Sequence, residues 1–131
     1  MPKLYEALDA CDALLWITPL YFAGVPAQLK CLIDRFQPYY GRRLLYGRPA
    51  ASYRRQAAAI ILGAGGDPFG ADAAALTLRS ASQMAEFRLL QPLVISGADA
   101  PGDILSARFA TQRMQALNLA DMLTGKRLRD V

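Results

Sequence analysis

Three short apolar runs constrain this chain more than any other feature: ALLWI at 13–17, AAAIIL at 57–62 and QPLVI at 91–95. None alternates apolar with polar residues. That pattern belongs to strands covered on both faces, as in a parallel sheet. Helical stretches surround the runs, at 3–10, 25–37, about 70–87 and from near Pro101 onward. Helix and strand therefore alternate along the chain, which predicts a parallel sheet with helical crossovers. Right-handed crossovers set all three strand C-terminal ends along one edge. Open sheets of this kind bind ligands at that edge.

Details sharpen the elements. Val25, Leu29, Leu32, Ile33 and Phe36 form one helical stripe, with Lys30 and Asp34 four apart on another side. Pro38 stops that helix, and residues 39–55 read as a long basic, aromatic connection. Pro92, inside the third run, marks an edge strand. In the last helix Leu105, Phe109, Ala116, Leu119, Ala120 and Leu123 share an arc that Gln112 interrupts. Met114 lies outside it and offers a second contact surface. Gly125 is a natural stop.

The 131 residues suit one domain over 1–131, and no apolar run nears the roughly 20 residues a bilayer span needs. The start carries no signal-peptide pattern, and Cys11 and Cys31 make no disulfide framework, so the expectation is a cytoplasmic protein with free thiols. There is no histidine. The commonest metal ligand, the usual general base and the Ser-His-Asp and Cys-His arrangements are missing, so no metal site and no catalytic side chain is assigned. Chemistry, if any, belongs to a bound cofactor.

Net charge is +4, and Arg35, Arg42, Arg43, Arg48, Arg54 and Arg55 fall between Asp34 and Asp67 with no acid among them. They read as a solvated loop, as partners of a phosphate-bearing ligand such as NADPH, or as a nucleic-acid surface, the least favoured of the three. Tyr39, Tyr40, Tyr46 and Tyr53 lie among them and suit base stacking or a subunit interface.

Two strand-to-helix loops, 18–24 and 63–70, share the ligand edge. Pro19 stiffens the first, Tyr21 and Phe22 offer ring faces, and Gly24 lets backbone approach closely. In the second, Gly63, Gly65 and Gly66 offer unobstructed N–H groups to polar ring edges or phosphates. The plainer readings are packing against a neighbouring subunit for the aromatics and turn geometry for the glycines. Pro68 stands where the third glycine of a dinucleotide fingerprint belongs, and no Gly-Lys-Ser/Thr follows to make a Walker loop.

The stretch TPLYFAGVPAQLKCLIDRF resembles the strand-loop-helix segment of the flavodoxin-like NADPH-dependent FMN reductases and the related iron–sulfur flavoproteins. The matching positions are Thr18, Pro19, Tyr21, Pro26, Ala27, Leu29, Lys30, Ile33, Asp34 and Arg35. The match is dense over about twenty residues, and the flanks follow in order over essentially the whole chain. The resemblance implies a three-layer α/β fold and an FMN-dependent NAD(P)H oxidoreductase. Pro19, Leu20, Tyr21, Phe22 and Gly24 would line the isoalloxazine ring, and Gly63, Gly65 and Gly66 would face its polar edge. The arginines of 42–55 would meet the phosphates of the nicotinamide cofactor.

The family's pattern opens with a strand and a Ser/Thr/Gly-rich loop around the FMN phosphate, which this sequence does not contain. The expectation is about three strands of five and weakened FMN binding, since charge-assisted hydrogen bonds contribute roughly 1.5–3 kcal/mol each. The strand at 13–17 becomes a sheet edge that invites pairing, hence a homo-oligomer. A second reading is a non-catalytic flavodoxin-like module with a structural or interaction role and weak or no FMN binding.

Overall fold

The computed structural model describes residues 2–47 and 55–125. Arg48, Tyr53, Arg54 and the tail 126–131 lie outside the described residues. Helix α1 (Pro2–Ala10) leads into strand β1 (Ala13–Pro19), then helices α2 (Ala27–Asp34) and α3 (Gln37–Tyr46). Strand β2 (Arg55–Gly63) is followed by α4 (Asp72–Met84) and by two short strands, β3 (Phe87–Leu89) and β4 (Leu93–Ser96). Two 3₁₀ turns, Asp103–Leu105 and Ala107–Phe109, precede α5 (Ala110–Thr124).

Every strand pairing is parallel. β1 pairs with β2 over Ala13–Pro19 against Gln56–Leu62, and β3 and β4 both pair with the other side of β2. β1 is therefore an edge, as expected. The third strand is broken. Between paired positions Ala57 and Ile60, β2 has two residues, whereas the other strand has three between Leu89 and Leu93. That extra residue is a bulge, and buried Pro92, which has no N–H for the ladder, sits inside it.

Alternation along the strands separates two faces. Trp16, Ala57, Ala59 and Ile61 join a core with Leu8, Phe36, Tyr39, Ala74 and Leu78, so α1 to α4 cover one face. The stripe expected on α2 packs there too: Val25, Leu29, Leu32 and Ile33 lie against this core. α5 packs across β1, β2 and β4 on the other face, where Ala58, Ile95 and Phe109 are buried. Helices on both sides of a parallel sheet make three layers.

Three sequence expectations need correction. β1 is fully covered on one face only: Trp16 and Thr18 are buried, but on the face that α5 partly covers Leu15 is 47% and Ile17 63% exposed. An apolar run reports β character, not what covers it. The connection at 39–55 is not a loop up to Tyr46 but helix α3. Pro38 starts this helix instead of ending the previous one, because the first turn needs no N–H from it. Gly47, with φ 59°, closes it. The last helix begins at Ala110, and Leu105 lies on a 3₁₀ turn, 74% exposed, apart from the half-buried Ala116, Leu119, Ala120 and Leu123. Gly125, with φ 65°, ends α5 as expected.

The base of the sheet is held by the arginine-tyrosine segment. The Arg55 guanidinium donates to the carbonyls of Leu8 (2.6 Å), Cys11 (3.1 Å), Asp9 (3.3 Å) and Ala85 (3.0 Å). These carbonyls mark the C-terminal ends of α1 and α4, where a cation also offsets the helix dipoles. The same group lies 4.1 Å over the Phe87 ring. Tyr39 is buried among Tyr5 and Phe36 and donates to Asp9 Oδ1 at 3.0 Å. Arg42 pairs with Asp9 at 3.2 Å and lies over the Tyr39 ring. These side chains bind their own fold.

Burial, reinforced by the Asp9 hydrogen bond and charge, pushes the Tyr39 phenol up to about 12. The unfolded phenol titrates near 10. Above about pH 10 the unfolded chain loses a proton that the folded chain keeps, so this stabilisation is whole below pH 10 and is lost as pH rises to 12. Tyr39→Phe is expected to lower Tm at pH 7, where it removes the Asp9 bond, and to flatten the decline of Tm between about pH 10 and 12. Thermal melts by circular dichroism across that range check both outcomes.

Candidate functional site

Because β1 and β2 pair in parallel and in step, Pro19 and Leu62 end together. Leu20 N–H then donates to Leu62 O at 2.6 Å, and Gly97 N–H to Gly63 O at 2.8 Å. The loops after β1, β2 and β4 thus stand in a row on one rim. The first two are the loops expected to share it.

The first loop is a tight reversal. Tyr21 and Gly24 exchange N–H···O bonds of 3.0 and 2.9 Å, and the residues between, Phe22 (φ 50°) and Ala23 (φ 58°), are both left-handed. Such a two-residue turn favours Asn-Gly. Phe-Ala there costs roughly 1–2 kcal/mol per residue in backbone strain. Long-range bonds hold it: Ala23 N–H donates to Asp67 Oδ2 at 2.9 Å, and Ala23 O accepts from Ala74 N–H at 3.1 Å. Ala74 lies in the first turn of α4, where backbone donors have no partner inside the helix. The other Asp67 oxygen accepts from Phe69 N–H at 2.9 Å, an Asx-turn within the second loop.

The outcome is exposure at the tip. Phe22 is 101% and Tyr21 60% exposed, with Phe69 exposed nearby in sequence to Asp67. Leu20 is half-buried against the core, and a Cβ placed on Gly63 would meet its side chain at 3.5 Å, an ordinary contact. Gly24 likewise tolerates a Cβ, so close backbone approach does not require glycine at 24 or 63. It is required at Gly65 (φ 94°) and Gly66 (φ 80°). Their N–H groups donate to no other group among the described residues. Pro19 closes β1 with its side chain exposed, and Thr18 is buried, its hydroxyl donating to Pro19 O at 3.0 Å.

Arg42, Arg43 and Arg55 do not join this rim. With Asp9, Tyr39, Tyr46 and Glu86 they line a cavity of about 650 Å³ at the start of β2. Arg55 and Gly63 are the two ends of the nine-residue strand β2, roughly 26 Å apart. The loops 18–24 and 63–70 contain no Lys or Arg at all. Sequence reasoning missed Asp67. Its Asp-Pro setting signals a turn, but no local pattern tells that its second oxygen reaches a residue 44 positions earlier.

A planar, amphipathic ring suits these two loops: aromatic faces on one side, backbone donors without a partner among the described residues on the other, and no Lys or Arg in either loop to meet an anion. A family model described as NADPH-dependent FMN reductase matches residues 1–100. The chain belongs to the NADPH-dependent FMN reductase family. It is 36% identical, over 52 residues, to an iron–sulfur flavoprotein of Archaeoglobus fulgidus, a stretch covering 40% of this chain and 24% of that protein. A putative quinone reductase from Klebsiella pneumoniae superposes with TM-score 0.57 at 20% identity, over 92% of this chain and 53% of that one. An NADPH-quinone reductase from P. pentosaceus gives TM-score 0.58 at 14% identity, over 96% and 75%. These two likenesses show a flavodoxin-like fold. The chain spans about a quarter of the iron–sulfur flavoprotein and about half of the Klebsiella protein.

Gly66→Ala tests the strain argument. No atom lies within 4 Å of the added methyl, so its cost is conformational alone, about 1 kcal/mol. Gly63→Ala is expected to cost less than half as much. Urea denaturation of the two variants, read as a change in midpoint at constant slope, checks the difference.

Proposed function

We propose that this chain forms the ring-binding half of an FMN-dependent NAD(P)H oxidoreductase site. The observation that carries the reading is the juxtaposition of the strained Tyr21–Gly24 turn with the Gly63–Gly66 loop on one rim. Tyr21 and Phe22 offer ring faces to the flavin, and Pro19, Leu20 and Gly24 shape the floor of the first loop. Gly65 and Gly66 offer N–H groups to the polar edge of the ring, with Gly63 beside them. When bound, FMN supplies the hydride chemistry, receiving it from NAD(P)H and passing electrons to an acceptor. No side chain is then needed as acid or base, in keeping with a sequence without histidine.

The residues fit the ring better than the phosphate. Asp67 is the charged side chain of the two loops, and it is an anion. Arg108, near Gly97, already holds Gly97 O and lies 3.5 Å from Asp103. Binding by this chain therefore draws little from the phosphate, and riboflavin is expected to bind within about threefold of FMN, under 1 kcal/mol. Titration followed by flavin absorption and fluorescence quenching measures both. Absence of uptake in excess FMN overturns the proposal in favour of the non-catalytic module. A strong preference for FMN overturns the account of the phosphate.

The open side of β1 favours association of copies. Its backbone is unpaired along one edge, and Leu15 and Ile17 stand exposed on one face. We expect a homo-oligomer that buries this edge. Full burial of Ile17 is worth roughly 1.5–3 kcal/mol, so Ile17→Lys is expected to shift the population to monomer in sedimentation velocity. A monodisperse wild-type monomer would overturn the association.

A further inference from the structure

We propose that Asp67 is the positioning residue of the flavin slot: its carboxylate holds the Tyr21–Gly24 turn in the conformation that presents Tyr21 and Phe22. This rests on the flavin reading above and adds the residue that preorganises it. Two neighbouring non-glycine residues with left-handed backbone, Phe22 and Ala23, form the tip. Strain of this kind persists only where the surroundings over-determine it, and it gathers at ligand clamps. The strain is not repaid by packing, because the Phe22 side chain is fully exposed.

The surroundings that impose it converge on one residue, Ala23. Ala23 is gripped at its N–H by Asp67 Oδ2 (2.9 Å) and at its carbonyl by Ala74 N–H (3.1 Å). The Ala74 grip is backbone and is fixed by the start of α4. The Asp67 grip is a side chain, and a charge-assisted one. Its other oxygen is held by Phe69 N–H, so the carboxylate is itself oriented before it meets Ala23. A single carboxylate thus couples the loop that offers ring faces to the loop that offers backbone donors. Fixing both halves before binding removes the ordering cost that a free loop would bring to the complex.

The test has a readout without flavin and one with it. Hydrogen exchange by mass spectrometry on Asp67→Ala is expected to show the Ala23 amide exchanging at least about tenfold faster than in wild type, with β2 protection unchanged. FMN dissociation constants are expected to rise about tenfold in Asp67→Ala. Asp67→Asn keeps one acceptor oxygen and should fall between, and it carries the same test if Asp67→Ala does not fold. The fluorescence quenching of bound FMN is expected to diminish in the same order, a signature that loss of stability alone would not move. Unchanged exchange at Ala23 overturns the clamp. Faster exchange with unchanged flavin affinity and quenching reduces Asp67 to a loop fastener and overturns its positioning role. Wild type that takes up no flavin overturns the flavin reading and this proposal together, whereas equal binding by wild type and Asp67→Ala overturns this proposal alone.

Discussion

The seven-residue parallel register between β1 and β2 is the constraint on which the rest depends. Parallel strands that pair in step also stop in step. Pro19 and Leu62 therefore end at the same height, and the chain must leave both strands on the same side of the sheet. Everything at the rim follows: the Leu20 to Leu62 bond, the reach of Asp67 to Ala23, and the Gly97 contact that brings the third loop alongside. A slip of one residue would turn Trp16 and Thr18 out of the core and Leu15 and Ile17 into it. The Trp16 indole N–H, which donates to buried Ser82 Oγ at 2.9 Å, would lose its partner. That buried bond makes the register specific, since an unpaired donor in the core costs roughly 1–3 kcal/mol.

The opposite end of the sheet uses its charges differently. The run of arginines without acids looks in the sequence like a surface offered to an anion. In the fold, Arg55 spends its donors on four backbone carbonyls and its face on Phe87, and Arg42 is shared between Asp9 and Tyr39. Two helices end against the base of β2, and each leaves carbonyls that need donors. A planar cation with several N–H groups answers both, which a lysine would not. A charge cluster can thus be a folding device, and composition alone does not separate the two uses. The nicotinamide reading of these arginines has the further difficulty that the strand's own length lies between them and the loops.

What the sequence made legible is what depends on short range. Unbroken apolar runs marked β1, β2 and β4 but not the short β3, Pro92 marked the irregular edge, and Gly125 the last helix end. Legibility stopped where distant residues decide. Pro38 is equally a helix stop and a helix start until Tyr39 is seen buried against Phe36. ALLWI reads as a strand buried on both faces, and only the fold shows that one face is open. The left-handed pair Phe22-Ala23 was invisible, because its local preference opposes the structure and the bonds that win come from Asp67 and Ala74. Family likeness named the loop's residues without revealing the clamp.

Two features among the described residues, the exposed aromatic tip and the open edge of β1, ask for different partners. The edge offers regular backbone groups and aliphatic side chains, which a strand or helix of another chain can cover. The tip offers little regular backbone. Its two left-handed residues turn the chain back on itself, and its exposed side chains are flat rings on the same rim as two glycines whose N–H groups meet no acceptor among the described residues. A peptide strand cannot register against such a turn, whereas a planar heterocycle can stack on the rings and accept from the glycines at once. The Leu20 to Leu62 bond ties the two regions through the end of β1 itself.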